Sequence, residues 1–253
     1  MSSNQEQRRT FYRDGYLQVP GAIDLDHVRS ALRLINGDIG RGIDPTRVAE
    51  FYARSFCPEL RNAPEILNLF EATGARQLAE SLLAPGGLRA PAMAQIALRF
   101  PQRGDAVLPR PHVDGTYGPS NGVQKGQVAH FTMLAMVALS DVDADFAGNF
   151  TLWPGSHHLY ERHFQTHDVN EMVHGTPKLE KLPPPLQTRV KAGDLLLSHY
   201  QLGHAAAPNL AAHVRYAVFF RLYHKDHDAD DLSILSDIWR EYPHLARFKS
   251  DDA

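Results

Sequence analysis

The 253-residue chain carries 14 histidines, and histidine is both a common metal ligand and a general base. The pair His112-Val-Asp114 comes first. In an extended segment residues i and i+2 point to one side, so the imidazole and the carboxylate converge. With a third ligand they would form the two-histidine, one-carboxylate face that binds iron(II) and leaves positions open. The spacing alone discriminates little. It recurs at His224-Lys-Asp226, which opens the charge run HKDHDADD and reads as a solvated cluster. A later stretch, GDLLLSHYQLGHAAAPNLAAHVR, favours the first copy. There Gly193-Asp194 turns into a strand, His204 follows in a loop, and Arg215 starts the next strand. An arginine fork grips a carboxylate through two parallel hydrogen bonds, which suits a metal site with a dicarboxylic co-substrate. His199 competes with His204 for the third ligand position.

The elements that must position these residues fall into two regions. Residues from Gln5 to Leu83 read as helical with one inserted strand, GYLQVPG, and PGG at Pro85 ends that region. From Met93 onward, apolar runs read as strands at 94–100, 131–139, 149–153, 188–191, 195–199 and 214–223, separated by Pro, Gly and Asp breakers. Strands at irregular spacing with long loops predict a jelly roll, not alternating βαβ units. DLSILSDIWREY predicts a closing amphipathic helix over about 231–242. The expectation is a single domain over 1–253, mainly β with flanking helices. Its helical part would cover about 1–90 and its β core about 91–225, with helices packed on one sheet.

Composition narrows the function classes. A net charge of −3 and a pI near 6.5 give no support to a nucleic-acid partner. The longest mainly apolar stretch is too short to cross a bilayer. One cysteine, Cys57, forms no internal disulfide, and the polar N-terminus shows no signal peptide. A cytoplasmic protein acting on a small molecule is expected, and oligomeric state is not readable.

Five segments in order carry a specific resemblance: FYRDGYLQVPGAI, PHVD, VALSDVDADFAGNFTLWPGSHH, GDLLLSHYQLGHAAAPN and Arg215. Together they resemble the phytanoyl-CoA dioxygenase family of iron(II)- and 2-oxoglutarate-dependent oxygenases. The strand, acidic turn, strand and PGSH pattern is its most specific part. The resemblance implies a double-stranded β-helix, a cupin-like form of jelly roll. It also implies iron on His112, Asp114 and His204, and 2-oxoglutarate on Arg215. It implies hydroxylation of a small organic metabolite with O2, releasing succinate and CO2. Iron(II), one carboxylate, the dicarboxylate and one guanidinium would then cancel in charge, which lowers the cost of a low-dielectric site.

The approach Leu108-Pro109-Arg110-Pro111 departs from the aromatic-histidine lead common in the family. Relatives that halogenate have a small residue at the carboxylate position, so Asp114 favours hydroxylation. Gln95 and Thr132, on strands expected to flank the metal, are candidates for hydrogen bonds to 2-oxoglutarate; the alternative is a buried polar role in the sheet. His157 and His158 read as a turn or helix start. The loop Gly115–Gln127 is expected to close over substrate. Two rival readings are a jelly-roll metalloenzyme without 2-oxoglutarate and a non-catalytic binding protein of the same fold.

Overall fold

The computed structural model describes residues 3–42, 44, 46, 56–118 and 123–250. Helix α1, Gln5–Asp14, starts at a reciprocal cap between Asn4 and Gln7 and stops at the left-handed Gly15. Strand β1, Tyr16–Val19, follows, then α2, Leu25–Gly40, which buries Val28, Ala31 and Ile35. Helices α3, Pro64–Glu71, and α4, Gly74–Leu82, complete the helical layer. Pro64 sits in the first turn of α3, where its missing N–H costs nothing.

The β region opens with β2, Gln95–Arg99, and β3, Met133–Ala138. Next come β4, Phe150–Leu152, helix α5, Ser156–Thr166, and β5, Leu186–Gln187. Strands β6, Leu195–His199, β7, His204–Ala206, and β8, Arg215–Leu222, follow, and a short α6, Pro243–Ala246, lies near the end. Five strands form an antiparallel sheet in the order β1-β6-β3-β8-β2, and three form a second in the order β5-β4-β7.

The alternation along β8 shows how the larger sheet divides the core. Val218, Phe220 and Leu222 join one apolar cluster with helix residues Phe11, Ala31, Ile66, Phe70 and Leu78. Ala217 and Phe219 join a second cluster with Phe150 and Leu152 of the smaller sheet. The period-2 pattern therefore sends one face to the helices and the other into the space between the sheets. This mostly antiparallel jelly roll with flanking helices matches the fold expected from sequence.

Three local expectations are corrected. No helix spans 231–242; a 3-10 turn at Leu232–Leu235 is followed by further turns. Asp231 caps the Ser233 N–H, Ser233 O accepts from both Ser236 and Asp237, and Glu161 takes the Ile238 N–H. These local bonds compete with a helix, while Ile234, Leu235, Ile238, Trp239 and Tyr242 are still buried. His204 opens a strand and is not in a loop. The expected strand at 188–191 is reduced to β5 at Leu186–Gln187 and an isolated bridge at Val190. Helix α5 starts at Gly155 and Ser156 of PGSH, in keeping with the reading of His157 and His158 as a turn or helix start.

Candidate metal centre

His112 and His204 lie 92 residues apart in the chain, yet their backbones pair directly. The His112 N–H donates to His204 O at 2.9 Å, and the His204 N–H donates to His112 O at 3.0 Å. This reciprocal bridge sets the two rings with centroids 4.5 Å apart. Gly115 then turns the chain at φ 91°, and a Cβ there would meet Ala129 O at 2.6 Å. Only glycine fits this turn, which leads the chain away just after Asp114. One donor atom from each of His112, Asp114 and His204 lies within 4.8 Å of the others.

The donor atoms are aimed for a shared ion. His204 Nδ1 lies 2.9 Å from Leu202 O, which assigns the proton to Nδ1 and leaves Nε2 with a free lone pair. That Nε2 is 3.6 Å from Asp114 Oδ1, and His112 Nε2 is 3.5 Å from the same oxygen. Burial works against ionisation of Asp114, but the Arg221 guanidinium first, and the flanking His112 and His204 imidazoles second, outweigh it. They hold the carboxyl well below its usual range. Two imidazoles and one anionic oxygen are a donor set for iron(II) or a similar divalent ion. His204 is nearly closed off and the His112 side chain is half exposed, so the site opens on the His112 side.

Arg215 lies at the start of β8, inside the molecule and 5% exposed. Its Nε donates to Gly148 O at 2.8 Å and its Nη1 to Ala97 O at 3.0 Å. Arg99 is its direct partner across β2 and β8. Gly148, at φ 76°, packs against both arginines: a Cβ there would lie 3.0 Å from Arg99 Cβ and 3.2 Å from Arg215 Cβ. Among the described residues neither guanidinium has a carboxylate partner. Burial first, and Arg99 second, bring the Arg215 pKa down to about 9; burial lowers that of Arg99 too. A buried cation beside a second, partly buried one is costly unless a ligand supplies an anion.

The other residues singled out in the sequence fall differently. Gln95 Oε1 is 3.5 Å from Arg221 Nη1, on the inward face of β2. The Thr132 hydroxyl donates to Glu241 and accepts from the His224 N–H, so its one donor is spent in a buried network with His227. His199 is not with the metal ligands; its Nε2 lies 3.1 Å from Ile238 O and its Nδ1 accepts from the Gln201 N–H. Burial lowers its pKa to about 4. His157 and His158 both bond to Tyr12 O and tie α5 to α1. His224 and Asp226 gain no third ligand among the described residues. Residues 119–122 of the loop expected to close over substrate lie outside the described residues.

Two functional candidates escaped sequence reading, Arg99 and Arg221. Both lie on the inward face: Arg221 is six residues after Arg215 on β8, and Arg99 is four after Gln95 on β2. Even spacing from a residue already singled out was the available signal. Their charges also overturn the expected neutral balance, since each adds a positive charge.

Comparison with known proteins is consistent with this geometry. The family described as Phytanoyl-CoA dioxygenase (PhyH) matches residues 11–217. Among solved structures, the non-heme alpha ketoglutarate dependent carbocyclase SnoK from nogalamycin biosynthesis is 23% identical. That match covers 88% of this chain and 84% of SnoK, with a TM-score of 0.58. HygX from Streptomyces hygroscopicus, solved with nickel and 2-oxoglutarate bound, is 18% identical over 90% of each chain, with a TM-score of 0.59. The epimerase SnoN, solved with Fe3+, alpha ketoglutarate and nogalamycin RO, is 20% identical over 87% of this chain and 82% of its own, with a TM-score of 0.51. At these identities the likeness shows the fold. No curated protein sequence matches. Among the described residues no helix is long and apolar enough to cross a membrane.

Proposed function

Since this chain belongs to the phytanoyl-CoA dioxygenase family, we propose that it is an iron(II)- and 2-oxoglutarate-dependent oxygenase that hydroxylates a small organic metabolite. The observation that carries the reading is the pairing of two features in one barrel: a convergent His112–Asp114–His204 donor set, and the buried Arg215 beside the partly buried Arg99, neither with a carboxylate partner among the described residues.

In this reading His112, Asp114 and His204 hold the ion. When bound, iron with 2-oxoglutarate and O2 supplies the oxidising power: the 2-oxoacid becomes succinate and CO2, and a substrate C–H becomes C–OH. One oxygen atom of O2 ends in succinate and the other in the product. Arg215 binds the distal carboxylate of 2-oxoglutarate, and its fork fixes the direction of the co-substrate. Arg99 adds a second positive charge on the same side. Phe150 and Phe219, with ring centroids 5.1 Å apart, present apolar surface between the two sheets and limit water there. The Phe150 ring also lies 5.3 Å from that of His204. SnoK is a carbocyclase and SnoN an epimerase by their names, so the outcome of C–H oxidation is the finer part of this proposal.

The substrate need not be known for the first test. Purified protein with iron(II), ascorbate and 2-oxoglutarate is assayed for succinate released by slow turnover without substrate, beside Asp114→Ala. Succinate from the wild type and none from Asp114→Ala is expected. Metal binding by the wild type with no 2-oxoglutarate binding or consumption would favour a metalloenzyme of another kind.

A further inference from the structure

The two oxygens of the Asp114 carboxylate have different neighbours. Oδ1 faces the Nε2 atoms of His112 and His204 at 3.5 and 3.6 Å. Oδ2 accepts a hydrogen bond from Arg221 Nη2 at 2.8 Å. We propose that Arg221 is a positioning residue of the metal centre, holding Asp114 so that Oδ1 alone is presented between the two histidines. This inference rests on the metal-binding reading above.

The physical need is clear from the side chain. The terminal torsion of an aspartate is broad and two-fold, so an untethered carboxylate can offer either oxygen or both. Offering both would take a second position on the ion and close one needed by co-substrate or O2. A charged donor on Oδ2 removes that freedom. Arg221 is itself held. It projects inward from β8, which is paired with β3 on one side and β2 on the other. Its guanidinium lies 5.7 Å from the centroid of the Phe131 ring, and Nη1 is 3.5 Å from Gln95 Oε1.

Charge gives the inference a sign that can be checked. A guanidinium beside a divalent cation repels it, so a purely electrostatic Arg221 would weaken metal binding and its removal would tighten it. An orienting Arg221 predicts the reverse. Removing groups that orient a ligand typically weakens metal affinity about 10- to 100-fold. The 40% exposure of the Arg221 side chain places the expectation nearer the lower figure, since water stands in for part of the lost bond.

The test is titration of metal-free wild type, Arg221→Ala and Arg221→Lys with cobalt(II) alone, followed by visible ligand-field spectra and calorimetry. Arg221→Ala is expected to bind cobalt about 10-fold or more weakly and to show altered bands; Arg221→Lys, with one donor in place of a fork, recovers part of both. A purely structural arginine would lower thermal stability and leave affinity and spectrum alone. Unchanged or tighter cobalt binding by folded Arg221→Ala overturns the proposal. If that variant does not fold, Arg221→Lys decides: a shifted spectrum supports orientation, and a wild-type spectrum and affinity overturn it. A wild type that binds no cobalt would sink the metal-centre reading itself, which keeps the two failures apart.

Discussion

The two faces of strand β8 are built from one stretch of eight residues and do opposite work. On the helix side Val218, Phe220 and Leu222 are fully buried among apolar neighbours. On the inner side Arg215 and Arg221 flank Ala217 and Phe219. The outer face buries carbon and gains stability by it. The inner face buries Arg215 beside Arg99, and in the proposed reading a bound dicarboxylate supplies the missing anion. A strand interior to its sheet can carry both because alternate residues never share an environment. Activity and stability are therefore separable by residue parity along one strand.

The largest expected break is on the inner face. Arg215→Ala would leave one end of a buried dicarboxylate unpaired, a loss of about 3–5 kcal/mol. The 2-oxoglutarate requirement should rise by about two to four orders of magnitude, read from initial rates against co-substrate concentration. Arg215→Lys should recover part, because an ammonium lacks the parallel fork. Thermal stability of the free protein should fall little, since truncation also relieves the repulsion from Arg99. A large loss of stability with unchanged 2-oxoglutarate dependence would make Arg215 a structural residue.

Phe220→Ala is the complementary break on the outer face. Phe220 is 0% exposed and its ring lies 5.4 Å from that of Phe70 on α3. Deleting it should cost about 3–5 kcal/mol through lost burial and the cavity left behind. Denaturant unfolding would read that loss. Metal affinity per folded molecule should stay at the wild-type value; a change in it would show that the faces are coupled.

Thr132→Val sharpens the boundary between structural and site polar groups. The Thr132 hydroxyl bridges Glu241 and the His224 N–H, so its loss should cost about 1–3 kcal/mol of stability. The apparent 2-oxoglutarate requirement should not move. A raised requirement would return Thr132 to the co-substrate site.

Much of this arrangement was readable because period and punctuation agreed. The strands at 95–99, 133–138, 195–199 and 215–222 lie within the expected segments, since apolar runs bounded by Pro, Gly and Asp leave few other solutions. The i, i+2 spacing of His112 and Asp114 was not enough by itself, since His224 and Asp226 repeat it; the family resemblance singled out the first pair and put His204 before His199. His199 and His204 are both buried histidines in one segment, and in the fold the pairing of His204 with His112 sets them apart. The closing segment misled for a different reason. Ile234, Leu235, Ile238, Trp239 and Tyr242 keep helical spacing, yet Asp231 and Ser233 bond locally and draw the chain into turns. Arg99 and Arg221 were not singled out, because a charge near a strand end carries no signal of its own. Their burial side follows from parity once Arg215 is placed, so they were recoverable on a second pass.

The reciprocal backbone bridge between His112 and His204 also bears on the unfolded chain. An ion held by both rings would join chain positions 92 residues apart. That makes it a detachable crosslink around a long loop. For a permanent link around a loop of roughly 100 residues, the chain-entropy account assigns about 4–5 kcal/mol at 25 °C. A reversible link contributes according to its occupancy instead, growing with the logarithm of free metal above the dissociation constant. Metal supply would thus set how long the barrel stays closed as well as whether it can react, and the metal-free chain would be the form most open to proteolysis.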